Sequence, residues 1–370
     1  MEQLRRYLAG YTGDQAEGRL KIREMYLDYG SASFLQILRS MTAFANAYAQ
    51  SGAVVICDNF LPAASCKKRS ETMVLQLWHA SGALKKFGYD TTDDIPAMYR
   101  GNVFKNTDCV TVSAPFCVEP FASAMRLEKD AVRPLGISRT DRFFDGGWKE
   151  NVRARFFASF PDAAGKRILL WAPTFRGHPG EMTIRQEDLL AVRRAAGEDD
   201  YLLVKPHPHM LGQKEIEDDA PQFTAEELFC VTDVLIADYS SLIFDYLLLG
   251  RRLILYTPDL AQYTAARGFY MDFDEIPGER ASDPETLKAL LARPDSSAAI
   301  APQKNTVQPD SGAAFIEKYM SACDGHATER IGELVIRHCL GDEAVKKETT
   351  VKGSLRLAAR DVYKTDRKST

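Results

Sequence analysis

Short apolar runs alternate along the chain with segments whose apolar residues recur at helical spacing. The runs contain few polar positions, which is typical of parallel strands covered by helices on both faces. This alternation of strands and helices predicts an α/β fold with parallel sheets. The predicted strands are residues 53–57, 73–78, 108–112, a short strand ending at 135, 167–172, 201–204, 234–237 and 253–256. The predicted helices are residues 34–49, 115–126, 242–249, 283–291 and 324–340.

The most informative segment is VLIADYSSLIFDYLLLGRRLILY, residues 234–256. A buried strand ends at Ala237, a polar turn carries Asp238, Ser240 and Ser241, and a helix follows. A helix N-terminus presents unpaired backbone N–H groups and a partial positive charge, which together suit a phosphate. In a doubly wound sheet, ligands also bind at this edge. Two serines that only cap the helix would give the same pattern.

Length and composition restrict the class of protein. A chain of 370 residues is too long for one ordinary core and favours two domains. The net charge of -4 gives no support for a nucleic-acid partner. Neither a membrane-spanning apolar stretch nor a signal-peptide core is evident, so we expect a cytoplasmic protein or one attached to the inner membrane surface. The 7 cysteines are scattered without a C-x-x-C pair, which predicts reduced thiols rather than disulfides or a zinc site.

The segment QLWHASGALKKFG carries the first candidate chemistry. His79 directly follows a predicted strand, and Ser81, Gly82, Lys85 and Lys86 come after it. A neutral imidazole can accept a proton from a hydroxyl group, and the lysines can bind anionic substrate groups. The alternative is a histidine bonded to a backbone carbonyl beside two solvated lysines.

Polar and basic residues also follow two predicted strands of the second half. Pro173 ends one strand and leaves Thr174 and Arg176 over the edge of the sheet, where Arg176 can bind a phosphate in a bidentate manner. The next strand runs into KPHPH, which contains Lys205 and His207. Four strand ends in the chain therefore carry polar or basic residues, which predicts one cleft lined by both domains.

Two further segments hold weaker candidates. In LGISRTDR, Arg139 lies among charges that surface ion pairs also explain. Asp245 lies one turn into the helix after the two serines, where it can reach a substrate hydroxyl or a neighbouring backbone group. In DGHATER, the residues Asp324, His326 and Thr328 lie at a predicted helix N-terminus, which plain capping explains equally well.

Taken in order, six groups of motifs resemble the CDP-glycerol glycerophosphotransferase family of teichoic acid synthesis. They are QLWHASGALKKFG, LGISRTDR, LLWAPTFRG, LLVKPHPH, IADYSSLIFDYLLLGRRLILYTPDL with RGFYMDF, and DGHATER, and they extend from about residue 54 to residue 340. The resemblance implies a GT-B-like fold, with two Rossmann-like domains whose parallel sheets face each other across a cleft. We expect an acceptor-side domain at residues 1–148, a CDP-glycerol-binding domain at 149–340 and a basic tail at 341–370. The length resembles that of the priming enzyme more than that of the longer polymerases.

The resemblance also implies roles for individual residues. His79 takes the place of the catalytic histidine of the family, and His207 that of a second important histidine. The residues implied to surround CDP-glycerol are Arg139, Pro173, Thr174, Lys205, Ser240, Ser241 and Asp245. The chain departs from the family at residues 80–83, where ASGA replaces a common G-T-P on the acceptor side, and at Lys205, where arginine is common.

The implied reaction is a phosphoryl transfer in which an acceptor hydroxyl attacks the β-phosphorus of CDP-glycerol and CMP leaves. His79 would take the hydroxyl proton. The groups expected to stabilise the diphosphate are Arg176, Lys205, His207 and the N–H groups at Ser240 and Ser241. No acidic cluster has metal-ligand spacing, so the sequence requires no cofactor, although Mg²⁺ can accompany the nucleotide. The expected acceptor is linked to a polyprenyl diphosphate, and we expect a peripheral enzyme at the cytoplasmic face of the membrane.

Other functional interpretations are compatible with the same sequence motifs. The donor can be CDP-ribitol, and a GT-B glycosyltransferase or a UDP-sugar 2-epimerase would use the same phosphate-binding logic. A non-catalytic polyanion-binding protein is a different class, against which the two histidines argue. Basic residues recur at every fourth position of the tail, which would let a helical tail contact anionic lipid; a solvated tail is the alternative.

Overall fold

Two parallel sheets form the framework of the protein. A computed structural model describes residues 1–11, 20–25, 33–91, 94–95, 99–174, 176, 184–206, 217–293 and 309–342. The first sheet has the strand order β1-β2-β3-β4, and the second has the order β6-β5-β7-β8-β9. All strand pairs within both sheets are parallel, as the alternating sequence pattern predicts.

The first sheet is built from short strands between helices. Its strands are β1 (Ala53–Ile56), β2 (Met73–Gln76), β3 (Cys109–Thr111) and β4 (Val132–Arg133). The helices of this half are α1 (Glu2–Ala9), α2 (Phe34–Gln50), α3 (Leu61–Ser65) and α4 (Val118–Met125). Strand β2 is buried along its whole length because neighbouring strands and helices cover it on both faces. All four predicted strands of this half are present, each within two residues of its predicted bounds.

The second sheet carries the larger core. Its strands are β5 (Arg167–Ala172), β6 (Asp200–Val204), β7 (Val234–Ala237), β8 (Arg252–Tyr256) and β9 (Glu279–Ala281). The helices are α5 (Gly146–Ser159), α6 (Gln186–Ala195), α7 (Ala225–Phe229), α8 (Leu242–Leu247), α9 (Leu260–Arg267), α10 (Pro284–Leu291), α11 (Pro309–Met320) and α12 (Ala327–Leu340). Alternate residues of the central strand β7 enter the cores on opposite faces of the sheet.

Helix α12 returns to the first sheet. Its residues Ile331, Val335 and Ile336 are buried in one cluster with Leu4 of α1 and Leu75 of β2. A Cβ added at Gly332 would lie 2.3 Å from the ring of Tyr7, so the two helices are in close contact there. Helix α12 lies within the expected second domain, residues 149–340, but it packs in the core of the first domain.

The two halves also meet directly through the segment after β2. Lys85 forms an isolated antiparallel bridge with Phe269, and the backbone N–H of Lys86 donates to the carbonyl of Gly268 at 3.1 Å. The N–H of Tyr270 donates to the carbonyl of Leu84 at 2.9 Å. These bonds place the QLWHASGALKKFG segment against the second domain.

Candidate functional site

The loop after β2 presents His79 to solvent. The His79 side chain is 57% exposed, and its ring stacks on that of Trp78 with a centroid distance of 4.4 Å. Trp78 has φ +57°, a left-handed conformation that is uncommon for a residue with a side chain. Arg139 holds the loop because its Nη1 donates to the backbone carbonyl of His79 at 3.0 Å. His79 is therefore accessible to a substrate while its backbone is fixed.

Arg139 also connects this loop to the second domain. Its Nε and Nη2 donate to Oδ2 of Asp245 at 2.9 and 2.8 Å, and Nη2 donates to the Ser81 hydroxyl at 2.9 Å. The Ser81 hydroxyl in turn donates to Oδ1 of Asp245 at 2.5 Å. Three residues predicted as substrate contacts are thus brought together, and each is bonded to the other two.

Burial affects the two charges of this network differently. Asp245 is fully buried, and this burial raises the pKa of its carboxyl group, while Arg139 and Ser81 oppose the shift. Burial lowers the pKa of Arg139, but the carboxylates of Asp245 and Glu226 outweigh it, so its pKa is raised. The guanidinium therefore stays charged. The arrangement fixes the His79 loop to helix α8, one turn after Ser241.

Gly82 lies where the loop after β2 packs closely against helix α8. It has φ +65°, and a Cβ there would lie 2.4 Å from the ring of Phe244. Its N–H donates to the hydroxyl of Ser113 at 3.0 Å. Gly82 was predicted to contact substrate; in the structure it is buried against α8.

Lys85 is a cation between the two sheets. Among the described residues, no hydrogen bond or ion pair engages its ammonium group, which interacts electrostatically with Asp238, Asp94, Arg176 and Arg267. Burial, together with the two arginines, lowers the pKa of Lys85 to about 8, against the opposing effect of Asp238. Lys85 is therefore available to an incoming anion. Lys86 is half-buried, and its backbone carbonyl accepts a bond from Arg267.

Arg176 lies over the carboxyl edge of the second sheet, as predicted, but carboxylates occupy its donors. Its Nε and Nη2 donate to Asp259 at 2.7 and 3.1 Å, and Nη1 donates to Asp238 at 3.0 Å. The guanidinium also lies over the rings of Tyr239 and Tyr263, with centroid distances of 4.9 and 5.2 Å. To bind a phosphate, Arg176 would have to exchange one of these partners.

Pro173 and Thr174 connect β5 to this cluster. Both are buried, and the N–H of Thr174 donates to the two oxygens of Asp238 at 3.0 and 3.1 Å. The buried Thr174 hydroxyl has no hydrogen-bond partner in the described part of the chain. Asp238 therefore organises the turn, and Thr174 retains a free polar group at the sheet edge.

The serine turn is half-buried. Ser241 takes the N-cap position of α8 without a side-chain capping bond, while the Ser240 hydroxyl accepts from the N–H of Leu242 at 3.3 Å. Lys205 is bound by Asp218 at 2.6 Å and by the carbonyl of Ala220 at 3.2 Å. His207 lies outside the described residues, so its predicted role remains a prediction.

The DGHATER segment forms the start of α12. The N–H groups of Ala327 and Thr328 donate to Asp141 at 3.1 and 2.7 Å, so a carboxylate from the segment after β4 caps the helix. The Thr328 hydroxyl lies 2.8 Å from that of Ser138. Asp324 pairs with Arg330 at 2.8 Å, and the exposed His326 lies 3.4 Å from Glu329. These bonds account for Asp324 and Thr328 as parts of a capped junction.

The other sequence expectations concern thiols, metals and membranes. The seven cysteines are free. Within the described ranges, no group of three or more His, Cys, Asp or Glu residues could hold a metal ion. No helix in the same ranges is long and apolar enough to span a membrane.

Comparisons with known proteins bear on this site as a whole. Residues 32–337 match the family described as CDP-Glycerol:Poly(glycerophosphate) glycerophosphotransferase. The chain is similar to the teichoic acid ribitol-phosphate primase of Bacillus spizizenii, with 34% identity over 309 residues that cover 76% of this chain and 74% of the relative. It is also similar to the teichoic acid glycerol-phosphate primase of Bacillus subtilis, with 29% identity over 252 residues that cover 63% of each protein. In the teichoic acid poly(ribitol-phosphate) polymerase of Bacillus spizizenii, a 31% identical match covers 76% of this chain but only 46% of the polymerase.

Solved structures of the wall teichoic acid polymerase TagF share the fold. One superposes with a TM-score of 0.67 at 19% identity, covering 91% of this chain and 85% of TagF. A TagF variant gives a TM-score of 0.65 at 22% identity, covering 81% and 76% of the two chains. The fold is GT-B, as expected from the sequence resemblance.

Proposed function

Because the chain belongs to the CDP-glycerol:poly(glycerophosphate) glycerophosphotransferase family, and is thus a teichoic acid phosphotransferase, we propose that it transfers an alditol phosphate from a CDP-alditol to a lipid-linked acceptor and releases CMP. The position of His79 carries this proposal. The imidazole is exposed on a loop that Arg139 fixes to Asp245 of α8, the helix that opens with the serine turn. A general base and a candidate diphosphate site are thus joined across the two domains.

In the proposed reaction, an acceptor hydroxyl attacks the β-phosphorus in line with the departing CMP. As the new O–P bond forms, the hydroxyl proton passes to His79, and the bond to the CMP oxygen breaks. This chemistry depends mainly on positioning and on stabilisation of negative charge. Lys85 is a cation suited to the diphosphate, because no carboxylate among the described residues forms an ion pair with its ammonium group.

The identity of the alditol divides into two candidates. The sequence motifs resemble a family named for CDP-glycerol, which favours glycerol phosphate. The similarity to a ribitol-phosphate primase at 34% identity favours ribitol phosphate. The match to this primase covers 76% of this chain and 74% of the primase, which supports a priming reaction that adds a single unit.

A lipid-linked acceptor implies that the enzyme works at a membrane surface, and we propose peripheral attachment at the cytoplasmic face. Helix α2 supports this. It exposes Phe34, Leu35, Leu38 and Met41, with Phe34 81% exposed, on a helix whose buried face holds Phe44 and Tyr48. An apolar stripe of this kind can enter the boundary between lipid headgroups and acyl chains.

The test is product analysis by mass spectrometry with a synthetic polyprenyl-diphosphate disaccharide acceptor. CDP-glycerol, CDP-ribitol and UDP-N-acetylglucosamine are offered separately, and the released nucleotide is identified. One added alditol phosphate with release of CMP supports priming, and a ladder supports polymerisation. Release of UDP alone would reject the proposal in favour of a glycosyltransferase, and conversion of the UDP-sugar to its 2-epimer without release of CMP would reject it in favour of an epimerase.

A further inference from the structure

Asp58 and His79 lie side by side at the carboxyl ends of two neighbouring strands. Asp58 follows β1, and His79 follows β2. Oδ1 of Asp58 lies 3.5 Å from Nδ1 of His79, with the two side chains 70% and 57% exposed. Both side chains are therefore mainly exposed at the same sheet edge.

Gln76, the last residue of β2, fixes the spacing of these two loops. Its side chain is completely buried, and both ends of its amide are bonded. Nε2 donates to the backbone carbonyl of Asp58 at 2.9 Å, and Oε1 accepts from the N–H of Trp78 at 2.9 Å. Because one planar amide bridges the two turns, the Asp58 and His79 backbones are held at a defined separation.

The conformation of Trp78 then directs His79 towards Asp58. The positive φ of Trp78 turns the chain directly before His79, and strain of this kind is common at functional sites. The stacking of Trp78 on the imidazole limits rotation of the ring, and the bond from Arg139 to the His79 carbonyl holds the far side of the turn. Hydrogen bonds of the neutral Gln76 amide and one bond from the Arg139 guanidinium thus fix the loop. The carboxylate of Asp58 faces Nδ1 of His79.

We propose that Asp58 is a positioning residue for His79: it holds the Nδ1–H tautomer and the ring orientation, so that Nε2 faces the acceptor hydroxyl. The inference rests on the proposed function and deepens it. As the acceptor oxygen bonds to the β-phosphorus and CMP leaves, the hydroxyl proton moves to Nε2. The imidazolium then lies beside the Asp58 carboxylate, which takes no proton, and it returns its proton to solvent after the transfer.

The decisive activity experiment is a double-mutant cycle in the full chain. The variants are Asp58→Asn, His79→Ala and both together, with Asp130→Asn as a control for loss of an exposed carboxylate in the same domain. CMP release gives kcat, and calorimetry gives the affinity for the CDP-alditol. Asp58→Asn should lower kcat about tenfold or more, though less than loss of the base itself, and leave donor affinity unchanged. In the His79→Ala background it should cost nothing further.

A second measurement does not depend on turnover. Nitrogen-15 histidine NMR of the wild type, with His79→Ala to assign the signals, should report the Nδ1–H tautomer for His79. In Asp58→Asn, the tautomer equilibrium of His79 should shift towards Nε2–H, the form that free neutral histidine prefers.

The outcomes separate the two proposals. An unchanged tautomer, or an equal loss from Asp58→Asn with and without His79, would overturn the role of Asp58. Full activity of Asp58→Asn alongside an inactive His79→Ala would do the same and leave the phosphotransferase proposal intact. Near-native turnover by His79→Ala would remove the base and, with it, the role of its partner.

Discussion

Arg139 joins the two domains by donating from two nitrogens to a single oxygen, Oδ2, of Asp245. The other oxygen of the carboxylate is thereby left to Ser81. The Asp245 side chain is fully buried, whereas that of Arg139 is 23% exposed. The two charges are thus stabilised mainly by each other, and the carboxylate depends more on the pair than the guanidinium does.

Arg139→Ala should therefore lower the free energy of unfolding by about 3 kcal/mol or more, because it leaves a buried carboxylate uncompensated. The double variant with Asp245→Ala should lose less than the sum of the two single losses. Urea denaturation measures all three. Arg155→Ala removes an exposed partner of Glu227 and serves as the control, with an expected loss of about 1 kcal/mol or less. Strictly additive losses for Arg139 and Asp245 would contradict a coupled pair.

Gly82 allows a matched test of the domain contact. Gly82 and Gly250 have nearly the same φ, +65° and +63°, but a Cβ at Gly250 meets nothing within 4 Å. Gly250→Ala should incur only the cost of a left-handed alanine, about 1–2 kcal/mol. Gly82→Ala should lose about 1–3 kcal/mol more, because its Cβ would overlap the Phe244 ring. Equal losses in thermal or urea unfolding would show that the ring moves away freely.

Lys85 should make donor binding dependent on pH. Because its pKa is about 8, its ammonium group is mostly charged at pH 7 and mostly neutral at pH 9. An anionic diphosphate binds the charged form, so the affinity of the wild type should fall over this range. Lys85→Arg, which stays charged, should bind with a nearly constant affinity, and Lys85→Gln should bind weakly throughout. Calorimetry with a CDP-alditol measures each case, and the same pH slope in Lys85→Gln as in the wild type would exclude Lys85.

Asp259 should contribute to stability except in acid. Burial alone would raise its pKa, but the hydrogen bonds and charge of Arg176 outweigh burial and hold the pKa below its usual value of 3.8. A carboxyl group with a depressed pKa stabilises the fold fully above its unfolded pKa and loses that contribution as the pH falls through the folded value. The stability gap between the wild type and Asp259→Asn should therefore narrow below about pH 4. A gap in urea midpoint that stays constant from pH 5 to pH 3 would contradict this role.

The strands were predictable from the sequence because buried parallel strands leave uninterrupted apolar runs, and β7 begins and ends where predicted. The return of α12 to the first sheet was not predictable. An apolar helical stripe shows that Ile331 and Val335 are buried but not which sheet buries them.

Only part of the candidate site could be proposed from the sequence. His79 was singled out because a histidine directly after a predicted strand has recognisable chemistry, whereas Arg139 was proposed only through the family resemblance, since surface ion pairs also explain the charges around it. Asp245, the carboxylate that pairs with Arg139, lies 106 positions away in the sequence. This pairing could not be predicted because it depends on how the two domains pack together.

Asp58, Gln76 and Asp259 were not predicted, because a single acid after a strand, or an amide at its last position, resembles any residue of a strand end or turn. Two polar positions at strand ends could have drawn attention to Asp58. They are Asp58 itself, in the segment DNF after β1, and Gln76 at the end of β2.

The most direct test of the central claim compares the wild type with His79→Ala on one lipid-linked acceptor, by measuring CMP release and the mass of the product with each CDP-alditol. We predict that the wild type releases one CMP for each alditol phosphate added. His79→Ala should still bind the donor, but its turnover should fall by about a hundredfold or more. Near-native release of CMP by His79→Ala, or a wild type that binds both CDP-alditols and releases no CMP, would contradict the account.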